Sequence, residues 1–301
     1  MSRAASSTGA RVIDGQAVAR RIKAEAAQQV AALARDGVRV NLHAVMVGDP
    51  VAGEIYARSQ ERHCQEVGIE YHLHVLDPAA REPQISARIR QLNADESVTG
   101  ILLLLPLPAG IDTPALQYCI DPYKDVEGVN PANIGLLFYD SPIIAPCTAR
   151  AVMELVKEAG CTVPGLEAVI VGQGEVAGRP TSLFLVHAGA TVTSCHIATR
   201  DLGLHTRQAE LLVVAVGKPN LIHADHVRAG AVVIDVGINR IVNDRGERQV
   251  VGDVAFDEVC RVAEAITPVP GGVGPVTVAI LLRATAEAAR QQLTARRRVG
   301  L

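Results

Sequence analysis

Along the first hundred residues, short apolar runs alternate with stretches whose apolar positions recur every three or four residues. The runs "VNLHAVMVG", "YHLHVL" and "TGILLLLPLP" predict three strands. Between them "EIYARSQERHCQEVG", starting after the Asp49-Pro50 break, and "EPQISARIRQLNAD" carry helical spacing. Continuous apolar strands joined by helices predict a parallel sheet covered on both faces. After a loop-rich stretch from Asp121 to Thr148 the pattern restarts with "EAVIVG", "ATVTSCH", "AELLVVAVG" and "AVVIDVGIN", four strands spaced like βαβ units. The fold class predicted is α/β, with two domains around a cleft, the C-terminal one a Rossmann-type doubly wound parallel sheet. Residues 1–11 read as a disordered tail, 12–148 as an N-terminal domain and 149–285 as a nucleotide-binding domain. A last helix in 276–301, running from about Val276 to Arg297, is expected to pack back on the N-terminal domain. "TARAVMELVKEAG" is the linking helix.

The chain has 301 residues, of which 49% are hydrophobic, and that is ample for buried cores. A net charge of −3 gives no electrostatic footprint for nucleic acid or an anionic membrane, and no run approaches a membrane span. The six cysteines form no CxxC pair, so reduced thiols and a cytoplasmic location are the simple expectation, with no metal.

"VIVGQGEVAGRP" places Gly172, Gly174 and Gly178 between a strand and a helix. In that setting backbone amides and the helix dipole can receive a pyrophosphate, whereas the same glycines alone would mean only a tight turn. The acid expected about 20 residues on to hold a ribose diol is absent: the next strand ends in Cys195, His196, Ile197 and Ala198, and Asp201 comes late. "PYKDVEGVNPANIG" and "TPVPGGVGPVTVA" combine prolines, glycines and polar groups where open α/β sheets bind ligands.

These stretches, together with "GILLLLPLP", "PCTAR" and "VIDVGINR", closely resemble the methylenetetrahydrofolate dehydrogenase/cyclohydrolase family, FolD, from about Val12 to Gln291. The resemblance implies oxidation of 5,10-methylenetetrahydrofolate by NAD or NADP, hydrolysis of the methenyl product, and a homodimer formed through the C-terminal domains. In the family a lysine one helical turn after a tyrosine serves the hydrolysis, a glutamine on the "LPLP" strand tunes it, and an acid of the "KDVDG" motif binds the pterin. Here the tyrosine matches Tyr56, but the lysine position is Gln60, the glutamine position is Leu104 and the second aspartate is Glu127. A glutamine neither titrates nor carries charge, so cyclohydrolase activity is expected to be weak or lost. His63, one turn on, is a candidate proton group, with a packing role the simpler reading.

The resemblance implies substrate contacts from Tyr56, Leu104, Pro106, Asp125, Glu127, Pro270, Gly271 and Gly272. It implies cofactor contacts from Thr148, Gly172, Gln173, Gly174, Gly178, Ile197, Gly217, Gly237, Ile238, Gly274 and Thr277. Gln173, Ile197 and Ala198 stand where the family often has arginine and serine for a 2'-phosphate, which tilts the reading towards NAD. Two classes stay open: a folate dehydrogenase with reduced hydrolysis, and a pseudoenzyme or relative remodelled for another small substrate, to which Leu104 and Gly53 point.

Overall fold

A computed structural model describes residues 9–48, 50–242 and 246–299, and the side chains of 50–57 and 296–299 lie outside the description. The chain folds as two compact units, one made of residues 20–147 with 278–301 and the other of 1–19 with 148–277. They are called the N-terminal and C-terminal unit below.

The chain enters through β1 (Arg11–Val12) and α1 (Gly15–Arg35), and residues 11–19 are a correction to the domain boundary expected at 12. β1 is an outer strand of the C-terminal sheet. Its Arg11 and Val12 pair with Ala265 and Ile266, and the Arg11 guanidinium donates to the Ala159 carbonyl at 2.7 Å. A two-residue strand has no periodicity to read, so this pairing was invisible in the sequence.

The N-terminal unit continues with β2 (Asn41–Val47), α2 (Pro50–Val67), β3 (Glu70–Leu76), α3 (Glu82–Ala94) and β4 (Gly100–Leu103). The sheet is parallel in the order β3-β2-β4. Central β2 is covered on both faces and is accordingly apolar nearly throughout, while edge strand β3 is half exposed and alternates. α3 buries Ile85, Ile89 and Leu92 at helical spacing against Val45, Val47, Ile101 and Leu103. Short helices α4 (Thr113–Tyr118) and α5 (Pro131–Phe138) start on the side-chain caps Asp112 and Asn130.

α6 (Cys147–Glu158) leads into β5 (Glu167–Val171), α7 (Gly178–His187), β6 (Thr191–Cys195), α8 (Leu202–Thr206), β7 (Leu211–Val214) and β8 (Val232–Asp235). A hairpin of β9 (Asn239–Val242) and β10 (Arg248–Val251), then α9 (Phe256–Val259) and β11 (Ala265–Ile266), complete the C-terminal unit. Its six-stranded parallel sheet has the order β1-β11-β8-β7-β5-β6. Four of these strands were expected; β1, β11 and the hairpin were not. α10 (Val273–Val299) begins three residues before the expected Val276, so Gly274, Pro275 and Thr277 lie in its first turns. Residues 278–299 of α10 belong to the N-terminal unit, where Gln292 donates to the carbonyls of Thr99 at 2.8 Å and Tyr123 at 3.0 Å.

Candidate functional site

The order of the C-terminal sheet reverses between β5 and β7, because β6 lies on one side of β5 and β7 on the other. In such a sheet the loops leaving the carboxyl ends of the two diverging strands open a crevice for a ligand. The loop after β5 is the glycine-rich turn. Gly172 has φ of +102°, and a Cβ there would lie 2.1 Å from the Ala215 carbonyl oxygen at the end of β7. A Cβ on Gly178 would lie 1.9 Å from the Gly172 oxygen. Only glycine lets the turn fold this tightly, and it brings the start of α7 beside the two strand ends. α7 has no side-chain cap at Ala177, so its positive end faces outward at the turn. Gly174 is open to solvent-sized space, with nothing within 4 Å of its virtual Cβ. The Gln173 amide nitrogen is buried without a protein partner, a donor suited to a polar ligand.

A second group of the expected residues surrounds a cavity of about 150 Å³ in the same unit, lined among others by Gly237, Ile238, Pro270, Gly271, Gly272 and Gly274. Val269-Pro270 is cis. Gly15 and Gln16, which no motif pointed to, belong here: a Cβ on Gly15 would lie 2.0 Å from the Gly272 oxygen, and Gln16 lines the cavity. Thr277 donates its hydroxyl to the Val273 carbonyl at 3.1 Å, and Thr148 stands half-buried in the first turn of α6.

Two buried aspartates that sequence reasoning passed over hold the strand-end loops. Asp235, at the end of β8, accepts from the amides of Gly237 (2.9 Å), Asp253 (3.0 Å) and Val254 (2.9 Å). Burial, opposed by those amides, pushes its carboxyl up to about 6. Asp253 accepts from the amides of Val216 (2.7 Å) and Gly217 (3.0 Å) and from the Asn239 side chain (2.8 Å). The signal was there: each is a lone acid in an otherwise apolar run, "VVIDVG" and "VVGDVA".

At the end of β6 the chain turns sharply. The His196 amide donates to the Thr199 hydroxyl at 2.9 Å, and the Ala198 amide donates to the His196 ring at 3.1 Å. Ile197 is fully exposed on this turn. Asp201, the late acid, caps α8 by accepting from the Leu204 amide at 3.1 Å, so its carboxylate serves the helix.

The remaining candidates belong to the N-terminal unit. Gln60 is 3% exposed on α2. The side chain of Tyr56 and the surroundings of Gly53 lie outside the described residues, so the shared face expected for Tyr56 and Gln60 is not described. Lys23 donates to the His63 ring nitrogen at 2.8 Å and pairs with Glu66 at 2.6 Å, which makes His63 part of a surface polar cluster. Leu104 is buried after β4, and Pro106, in a cis bond to Leu105, is exposed.

The "KDVEG" segment divides its labour. Lys124 donates to the carbonyls of Leu92 (3.0 Å), Asn93 (2.7 Å) and Asp95 (2.7 Å), closing the C-terminal end of α3. Asp125, 1% exposed, accepts from the amides of Gly128 (3.1 Å) and Asn130 (2.7 Å) and the Asn133 side chain (3.0 Å). Its carboxylate therefore anchors its own loop. Glu127 is partly covered, and desolvation followed by the Asp125 charge pushes its carboxyl up to about 8. This favours the protonated form, which can donate a hydrogen bond.

A doubly wound α/β sheet with a glycine cradle at its switch point defines a dinucleotide-binding class of protein. Residues 13–127 match the tetrahydrofolate dehydrogenase/cyclohydrolase catalytic domain, and residues 146–293 match the NAD(P)-binding domain of the same family. The chain belongs to the tetrahydrofolate dehydrogenase/cyclohydrolase family. It is 44% identical to the bifunctional protein FolD of Moorella thermoacetica over 282 residues, covering 94% of this chain and 99% of that one. The crystal structure of the bifunctional FolD enzyme of Campylobacter jejuni superimposes with a TM-score of 0.87 at 41% identity, covering 93% of this chain and 98% of that one. The Trypanosoma brucei enzyme, solved with NADP and an inhibitor, gives 0.88 at 36% identity, covering 95% and 99%.

Proposed function

We propose that this chain oxidises 5,10-methylenetetrahydrofolate to the methenyl form with a nicotinamide dinucleotide, and that its hydrolysis of the methenyl product is weak. The observation that carries the first half is the cradle at the β5/β7 switch point, where Gly172 and Gly178 leave no space for a Cβ. Such a cradle fits a pyrophosphate approached by backbone, and the buried Gln173 amide supplies a further donor. A nicotinamide held there would supply the hydride acceptor for the methylene carbon. The protein's task is to hold the partners in contact and exclude water. In this reading Gly174, Gly217, Gly237, Ile238, Gly274, Thr148 and Thr277 shape the dinucleotide site, and Pro270, Gly271 and Gly272 border the folate.

The second half rests on Gln60. Water attack on the methenyl carbon calls for a group that moves a proton, and a buried amide has none to offer. Leu104, buried and apolar, leaves no donor or acceptor to tune a replacement. Asp125 and Glu127, the two acids of the motif, keep their assignment as folate contacts, the Glu127 carboxyl being raised by burial. Tyr56 keeps its assignment as the pterin-stacking ring.

NAD is preferred over NADP in this reading. The turn after β6 presents Ile197 and a ring-bonded Ala198 amide, with no guanidinium or ammonium on it before Arg200. Arg179, the nearest cation on the glycine-rich turn, lies 3.7 Å from Glu175. A homodimer and a cytoplasmic location, in keeping with six free cysteines, complete the proposal. Among the described residues no helix is long and apolar enough to cross a membrane.

The test is substitution at Gln60 and Leu104. Gln60→Lys alone should restore little hydrolysis, and Gln60→Lys with Leu104→Gln should exceed either single change by about tenfold or more, since general acid–base help is worth about 10² to 10⁴. A chain that binds dinucleotide but shows no oxidation of methylenetetrahydrofolate would favour the remodelled relative, to which the apolar Leu104 points.

A further inference from the structure

We infer that Asp253 is a positioning residue of the dinucleotide site: its carboxylate fixes the loop after β7 as the wall of the switch-point crevice. The inference rests on the dinucleotide reading above and extends it to a residue that no motif marked.

The crevice has two lips, and they are built differently. The lip after β5 is shaped by Gly172, Gly174 and Gly178. The lip after β7 is Ala215-Val216-Gly217, and it touches the first lip where Gly172 meets the Ala215 carbonyl oxygen. Gly217 has φ of +68°, so this loop turns out of the strand direction immediately, and the strand ladder cannot hold it. What holds it is one oxygen of Asp253, which receives the amides of both Val216 and Gly217 at 2.7 and 3.0 Å. The other oxygen receives the Asn239 side chain at 2.8 Å, tying the same carboxylate to the segment after β8 that carries Gly237 and Ile238.

Asp253 is 0% exposed, and its own backbone is fixed in turn, because its amide donates to Asp235 at 3.0 Å. There is no slack in the arrangement: a Cβ on Gly237 would lie 2.2 Å from the Asp253 carboxylate, and one on Gly252 would lie 1.8 Å from the Asp235 carboxylate. One lip of the dinucleotide crevice and the segment lining the neighbouring cavity thus share one buried acceptor. A carboxylate is suited to this role, since each of its two oxygens has lone pairs for more than one donor.

Asp253→Asn keeps the size and removes half of the acceptor capacity. Whichever way the amide is turned, its NH₂ faces a donor, either the Val216 and Gly217 amides or Asn239, and one side of the clamp opens. The experiment measures the KM for NAD, the KM for methylenetetrahydrofolate and the ligand-free Tm, with Asn239→Ala alongside, which cuts the other arm at a half-buried position. The expected result is a KM for NAD raised by about tenfold in Asp253→Asn and about threefold in Asn239→Ala, with the folate KM changed by less than about twofold. A lowered Tm with the KM for NAD unchanged would mean a structural role only and would overturn the inference. If Asp253→Asn does not fold, Asn239→Ala decides: a raised KM for NAD at near-normal Tm supports positioning, and an unchanged one overturns it. Failure of the unsubstituted chain to bind NAD or NADP in calorimetry would remove the dinucleotide reading itself, a result visible before any variant is made.

Discussion

The two units build their candidate sites from different materials. In the C-terminal unit the site is mostly backbone: glycines that admit no Cβ, strand-end amides, and two buried carboxylates that hold those amides in place. In the N-terminal unit it is mostly side chains, with Gln60, Leu104 and Glu127 standing where the family resemblance places a lysine, a glutamine and an aspartate. A backbone site changes only when the fold changes, because its chemistry is the peptide unit itself. A side-chain site changes with one codon while the scaffold stays intact. On the proposed reading, that difference is how a chain keeps a dinucleotide cradle with Gln60 at the lysine position.

The largest effect should therefore come from adding a single methyl group to the backbone site. Gly178→Ala drives a Cβ onto the Gly172 carbonyl and must displace the turn. A displacement of about 1 Å costs on the order of 100-fold, so NAD affinity, measured by calorimetry, should fall at least that far. Binding within about threefold of normal would break the contrast between the units.

Next in size is Lys124→Met. The lysine closes α3 through three carbonyls, and its loss should cost about 2–3 kcal/mol, read as a Tm lower by roughly 2–4 °C per kcal/mol. The dinucleotide KM should not move, since that site lies in the other unit.

The smallest effects are in the pH dependence of stability, and the two groups concerned pull in opposite directions. His43, which is hydrogen-bonded to His74 at 2.8 Å and lies against the tilted ring of His72, is pushed down to about 4 by burial and by its neighbouring imidazoles. Its neutral form is favoured on folding, so stability is lost as pH falls from about 6.5 towards 4. Glu127 is pushed up to about 8, so between about 4.5 and 8 the folded state keeps a proton that the unfolded chain has lost. Stability from this group declines as pH rises through that window. Glu127→Gln should flatten the alkaline side of the Tm–pH curve and His43→Phe the acid side. No change on either side would show these environments to be better hydrated than the geometry indicates.

How far the sequence disclosed all this follows the same division. Long apolar strands and the glycine-rich turn were legible, because burial on both faces and a strand–turn–helix setting leave strong local signals. β1 and β11 are two residues each and are defined only by their partners, so no local pattern could show them. The motif marked Asp125 as an acid of the site but not as the anchor of its own loop, because Gly128, Asn130 and Asn133 reach its oxygens only in the folded chain. Asp253 read as nothing at all, because its importance lies in what reaches it from Val216, Gly217 and Asn239, far away in the chain. Gln60 was legible only through resemblance, since a glutamine on a helix is unremarkable until a lysine is expected there.

The central claim is that oxidation and hydrolysis have come apart in this chain, and one progress curve tests it. Methylenetetrahydrofolate and NAD are supplied to the unmodified protein, and NADH, methenyltetrahydrofolate and formyltetrahydrofolate are followed together. The account predicts one methenyltetrahydrofolate for each NADH formed, disappearing afterwards no faster than in enzyme-free buffer. Formyltetrahydrofolate rising in step with NADH, with no methenyl accumulation, would contradict it and would assign the hydrolysis to a group other than Gln60.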